Sequence, residues 1–238
     1  SFFKLLLKNN EINNPYLQSK NKKIACIHYR ENISHAIPQI SDPSTYIKSI
    51  NFLLKNDFQV YFIGRESMPP QFKNLNMINY ASKTNNTLFD DLMLVYASDI
   101  NIFCGSGISY LADSLDKKYL YINSWHISRP GGIGKKSIFV PSLIKNIHSN
   151  QTLNIYKQTK LENSHSHIES LYINRNKYKL IHPTEEDIYE GLLELIDIEN
   201  SNLSNLQIEF KQLIKNYGFD NQSDSRISHN FVYKNRHL

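Results

Sequence analysis

Apolar residues along this chain keep two rhythms. Short, nearly unbroken runs at Ile24–His28, Phe58–Ile63, Met77–Tyr80, Ile100–Cys104 and Tyr119–Ile122 are rich in β-branched and aromatic residues, which predicts buried strands. Between them the apolar positions recur at helical spacing. Tyr46, Ile50, Leu53 and Leu54 mark a helix from about Thr45 to Lys55, a second runs from about Thr87 to Ala97, and a third from Ile108 to Leu115. Ser41-Asp42-Pro43-Ser44 supplies a cap for the first, and Asp90 and Asp91 fall in the first turn of the second, where the helix dipole favours carboxylates. Strands alternating with helices in this way predict an α/β fold: a Rossmann-like parallel sheet with helices on both faces.

The pattern loosens beyond Asn123. Trp125 to Lys136 reads as a glycine-rich basic loop that returns the chain to Phe139-Val140-Pro141, and Asn150 to Ser170 as an irregular polar excursion. Tyr178–Ile181 is a short strand, followed by a helix capped at Thr184 that carries Ile188, Leu192, Leu195 and Ile196 on one face. Two polar-rich helices near Asn205–Tyr217 and Ser225–Asn235 close the chain. At the other end, Phe2, Phe3, Leu5, Leu6 and Leu7 predict a short apolar helix before a loop. The division expected is a linker or helix at 1–20, a Rossmann-like domain at 21–198 and a C-terminal helical tail at 199–238. The chain begins at Ser1 with no signal-peptide pattern, and a further domain upstream is expected.

Composition narrows the classes. At 238 residues and 40% hydrophobic content the chain can bury a sizeable core, and no apolar run is long enough to span a membrane. The net charge of +5 is spread along the sequence with no block of five like charges, so no nucleic-acid partner is expected. Cys26 and Cys104 each fall in a predicted buried strand, where a thiol serves as a small hydrophobe in a reducing compartment. The nine histidines show no metal-ligand spacing, and no protein-bound metal is expected.

Candidate chemistry gathers at the strand ends. Gly105-Ser106-Gly107 joins the strand ending at Cys104 to the next helix. There, the unpaired N–H groups of the helix start and its dipole attract anions. Such a turn also serves simply to join two elements tightly, and both readings stand. Two other strand ends present His28-Tyr29-Arg30 and Gly64-Arg65. In open parallel sheets ligands bind outside the carboxyl ends of the strands, so two guanidiniums would meet the glycine turn at one diphosphate site. Arg30 and Arg65 are the candidates to contact the diphosphate, with donors from Gly105, Ser106, Gly107 and Ser109. Asp90 or Asp91 either holds the nucleotide or caps its helix. His28 is a candidate base or a buried core histidine. Arg129 to Lys136 reads either as a lid over phosphate or as a plain solvated loop.

CIHYRE at Cys26–Glu31, VYFIGR at Val60–Arg65, DDLMLVYASDINIFCGSGISYLA at Asp90–Ala112 and a helix after HPTEEDI resemble, in that order, a bacterial group of glycosyltransferases. That group is similar to the carboxyl-terminal, nucleotide-sugar-binding half of GT-B enzymes. The His-x-Arg at His28–Arg30 is also similar to that of fucosyltransferases using a GDP-sugar. The resemblance runs from Lys22 to the C-terminus and implies metal-independent transfer of a sugar from a nucleotide donor to an acceptor hydroxyl. It further implies surface-glycan (polysaccharide) synthesis with a glycan or lipid-linked acceptor, in the cytoplasm or at the inner face of the membrane, and a missing N-terminal half. The alternative is a non-catalytic nucleotide- or phosphosugar-binding module.

Overall fold

The structure is a computed structural model that describes residues 22–30, 41–81, 87–127, 134–164, 177–218 and 224–237. Nine strands are described: β1 (Lys23–His28), β2 (Phe58–Ile63), β3 (Ile78–Asn79), β4 (Ile100–Cys104), β5 (Tyr119–Ile122), β6 (Ser137–Val140), β7 (Leu143–Asn146), β8 (Tyr178–Ile181) and β9 (Arg226–Ile227). The helices are α1 (Ile47–Lys55), α2 (Leu88–Ala97), α3 (Gly107–Ser114), α4 (Ile155–Ser164), α5 (Glu185–Ile196), α6 (Asn205–Asn216) and α7 (His229–Asn235). Seven strands form one sheet in the order β3-β2-β1-β4-β5-β6-β9, and every pairing is parallel. The fold is therefore Rossmann-like α/β, with helices on both faces of a parallel sheet. β7 and β8 pair separately, antiparallel.

Burial on both faces explains the unbroken apolar runs. Ala25, Ile27, Val60, Phe62, Ile102 and Ile122 point to one side, where Tyr46, Ile50 and Leu53 of the first helical segment and Ile188, Leu192 and Leu195 of α5 cover them. Cys26, Tyr61, Ile63 and Phe103 point to the other, under Leu92 and Val95 of α2 and Ala112 of α3. Removing a side chain such as Ile27 or Phe62 from water contributes about 1.5–3 kcal/mol each, before the entropy cost of ordering it. Both cysteines are free thiols inside this core.

The start of each helix follows from its cap. Asp42 accepts from Ser44 N at 2.9 Å and opens a 3₁₀ turn, Pro43–Tyr46, that runs into α1. Thr87 with Asp90, Thr184 with Asp187 and Ser204 with Gln207 each form a capping box.

Two predicted elements differ. Asn150–Ser170, expected as irregular, contains α4, and β7 lies just before it. The core-facing positions of α4 include Gln158, Thr159 and Glu162, all buried, so the helix carries its period in polar residues. Gln158 donates to the carbonyls of Trp125 and Ser142 and accepts from Ile144 N, tying α4 to the body. The helix expected over Ser225–Asn235 is split: Arg226–Ile227 pairs with Ile138–Phe139 as the outermost strand, and the helix begins only at His229. The sheet thus extends into the segment expected as a helical tail. The helix expected within 1–20 lies outside the described residues. Among the described residues no helix is long and apolar enough to cross a membrane.

Candidate functional site

From β1 the chain passes to β2 and β3 on one side, while β4 leads to β5, β6 and β9 on the other. β1 and β4 are neighbours whose following strands, β2 and β5, lie on opposite sides, and a crevice opens at their carboxyl ends. It measures about 460 Å³, within the range of small-molecule sites. His28, Arg30, Arg65, Asp91, Ser106 and Gly107 all line it. Residues from three strand ends and one helix start, expected to converge, are brought together here.

His28 closes β1, beside Ile63 of β2 and Phe103 of β4, and is only 5% exposed. Its Nδ1 lies 3.3 Å from Ser106 Oγ and 3.4 Å from Cys104 Sγ, while Nε2 lies 3.5 Å from Glu66 Oε2. Burial works against a charged ring. It is outweighed by the hydrogen bonds and charge supplied by Cys104 and Glu66, and the ring pKa is pushed up to about 9. Burial of Glu66 in turn favours its neutral form, but His28 and the nearby backbone amides hold its carboxyl below the usual range. The direction of this shift favours an imidazolium facing a carboxylate, an arrangement that suits a proton donor.

The chain leaving β2 passes close against His28 at Gly64. Its φ of +107° is a conformation that L side chains rarely adopt, and a Cβ there would stand 2.7 Å from His28 Cδ2. The glycine lets the chain turn against the imidazole and present Arg65 and Glu66 at the rim.

Arg30 donates from Nη1 to the carbonyl oxygen of Gly105 at 3.1 Å, which fixes the guanidinium against the glycine turn. Arg65 reaches towards the buried Asp91, with Nη2 3.9 Å from Oδ2. The two aspartates of α2 separate here. Asp90 accepts from Thr87 N and Oγ1 in its capping box, so capping is its role, while Asp91 faces the crevice.

Ser106 is the N-cap of α3, yet its hydroxyl makes no capping bond and lies against His28 instead. Gly107 and Ile108 follow it on the crevice wall, at helix positions whose N–H groups have no intrahelical partner. A Cβ at Gly107 would meet nothing within 4 Å, so this backbone borders open space. Ser109 departs from the expected donor set. It is fully buried, and both its N–H (3.2 Å) and its hydroxyl (2.7 Å) donate to the Ser106 carbonyl, so it braces the turn instead of facing a ligand. Gly105 likewise contributes a carbonyl to Arg30.

Of the glycine-rich loop expected as a lid, residues 128–133 lie outside the described residues. Its far end lies at the opposite rim of the sheet, where Tyr119 N, at the start of β5, donates to the Lys136 carbonyl. Lys136 there pairs with Asp116 at 2.9 Å and Glu199 at 3.5 Å.

Two features of the crevice were not assigned from sequence. Glu66 stands next to Arg65 in the chain, and its pairing with His28 appears only once β1 and β2 are known to be neighbours in register. Leu88, Ile108 and Leu111 add an apolar lining to the crevice, with Leu88 68% exposed despite its size.

No family model, curated protein or solved structure matches this chain.

Proposed function

We propose that this crevice binds the diphosphate of a nucleotide sugar and that the protein is a glycosyltransferase of GT-B type, passing the sugar to an acceptor hydroxyl without a bound metal. The observation that carries this reading is the meeting of Arg30, Arg65 and the first turn of α3 around one opening at the β1/β4 switch point. As the bond from sugar to diphosphate breaks, negative charge collects on the departing oxygens. Fixed guanidiniums and helix-terminal N–H groups stabilise that charge best when they are already in place, as the Arg30–Gly105 bond keeps Arg30. The apolar wall of Leu88, Ile108 and Leu111 suits the nucleoside part of the donor.

On this reading the acceptor is a glycan or lipid-linked saccharide of bacterial surface-glycan synthesis, and the chain works in the cytoplasm or at the inner membrane face. The test is incubation with GDP- and UDP-sugars and a mixture of glycan and lipid-linked acceptors, following release of nucleoside diphosphate and formation of product. Release dependent on acceptor supports transfer. Tight binding of the nucleotides with no product from any acceptor contradicts it and leaves a binding module.

A further inference from the structure

Ser106 is the best N-cap residue type at the start of a helix, and it does not cap. Its backbone carbonyl receives both donors of Ser109, while its hydroxyl oxygen turns to Nδ1 of His28 at 3.3 Å. The other ring nitrogen faces Glu66 Oε2 at 3.5 Å, across a turn where glycine at 64 leaves room for the ring. A carboxylate, an imidazole and a hydroxyl therefore stand in line, from the half-buried Glu66 to the crevice lip. Contacts of this length are common in unliganded sites and shorten when a ligand settles.

We propose that Glu66, His28 and Ser106 form a relay that protonates the departing diphosphate, with Glu66 as the positioning residue that orients the His28 ring through Nε2. The proposal rests on the diphosphate reading of the crevice. An anion in the crevice beside Ser106 favours the charged ring, in the same direction as its raised pKa, and a charged histidine cannot draw the proton from Ser106, so the line of groups is not a nucleophilic triad. It runs the other way. Nδ1–H donates to Ser106 Oγ, and the hydroxyl hydrogen is thereby left to point at a phosphate oxygen. When the sugar–oxygen bond breaks, its electron pair goes to the diphosphate oxygen. Ser106 passes its proton to that oxygen and Nδ1 replaces it. His28 is left neutral with its remaining proton on Nε2 against Glu66, and the acceptor hydroxyl, now bonded to the sugar, releases its proton to solvent, from which His28 recharges.

The charged and titratable groups around the ring are Glu66 and Arg65 from the end of β2, Cys104 from β4, Arg30 from the end of β1 and Asp91 from α2. Asp91 lies opposite Arg65, which leaves Glu66 as the carboxylate facing His28.

Two variants keep the ring in place and test the relay. Ring-nitrogen resonances of His28 should show discharge near pH 9 in the native chain and at least one unit lower in Glu66→Gln. The affinity for the dianion of inorganic phosphate, taken at its actual concentration at each pH, should fall at least tenfold as pH crosses the same midpoint, and the fall should move with it in Glu66→Gln. Ser106→Ala should keep the phosphate dependence while lowering kcat for sugar transfer at least tenfold with KM little changed. A native His28 titrating near its ordinary 6.5, or a phosphate affinity indifferent to that midpoint, overturns the relay. Ring and phosphate titrations as expected with no sugar transfer to any acceptor keep an imidazolium-based anion site and overturn the glycosyltransferase reading instead.

Discussion

Arg30 and Gly105 are 75 residues apart in sequence and joined by one hydrogen bond, from the guanidinium to the glycine carbonyl at 3.1 Å. That bond ties the end of β1 to the turn after β4, across the point where the chain's two directions diverge. It positions a permanent cation beside the first turn of α3.

Arg30→Met should therefore weaken binding of nucleoside diphosphates by about 10–100-fold, the worth of one or two hydrogen bonds to a charged group. Arg30→Lys should recover the charge without the two-pronged geometry and bind between the two. Calorimetric titration measures both, and circular dichroism should show an unchanged fold.

Gly107→Ala adds a methyl group where nothing stands within 4 Å of it. Thermal unfolding should be unchanged or slightly raised, because alanine is the better helix former. Diphosphate affinity should fall at least tenfold, because the methyl enters the space the ligand needs. A drop in melting temperature with unchanged affinity would reverse this placement of Gly107.

Gly64→Ala should do the opposite, damaging the fold first. The substitution combines a φ of +107° with a contact of 2.7 Å to the His28 ring, and strain of this kind costs about 1–3 kcal/mol. Urea denaturation should show that loss, and the His28 ring resonances should shift with it.

Stability should also depend on pH through His28. Its pKa in the folded chain, about 9, lies above the ordinary 6.5, so its contribution is complete below 6.5 and disappears as pH rises through 9. The ceiling on that loss is about 3 kcal/mol. Glu66 has the opposite sign: its depressed pKa contributes above the usual 4.5 and is lost as pH falls through the folded value. Urea midpoints measured across the alkaline range should fall in the native chain and stay flatter in Glu66→Gln.

The sheet was legible because β1, β2, β4 and β5 are buried on both faces and so carry continuous apolar runs. The site was legible as far as strand ends reveal it: Arg30, Arg65 and Ser106 could be placed at one rim from the alternation of strands and helices alone. What escaped did so for physical reasons. α4 points Gln158 and Glu162 inward to satisfy backbone groups of neighbouring loops, so its helical period is absent from the hydrophobic pattern. β9 is two residues long and is held in place partly by Gln207, which donates to the Ile227 carbonyl at 2.6 Å. Ser109 looked like a ligand donor from its position one turn into α3, but only coordinates show both its donors already spent on Ser106. The partnership of His28 and Glu66 needs the parallel register of β1 with β2, a long-range fact no local pattern encodes.

The central claim is that one anion site lies at the β1/β4 crevice. Adding inorganic pyrophosphate to isotope-labelled protein and following the backbone amides of Gly107 and Ile108 with the side chains of Arg30 and His28 tests it directly. These four should shift together along one saturation curve, while groups at the far rim such as Lys136 stay still. Saturable shifts confined to other parts of the molecule, or no shift at these four, would contradict it.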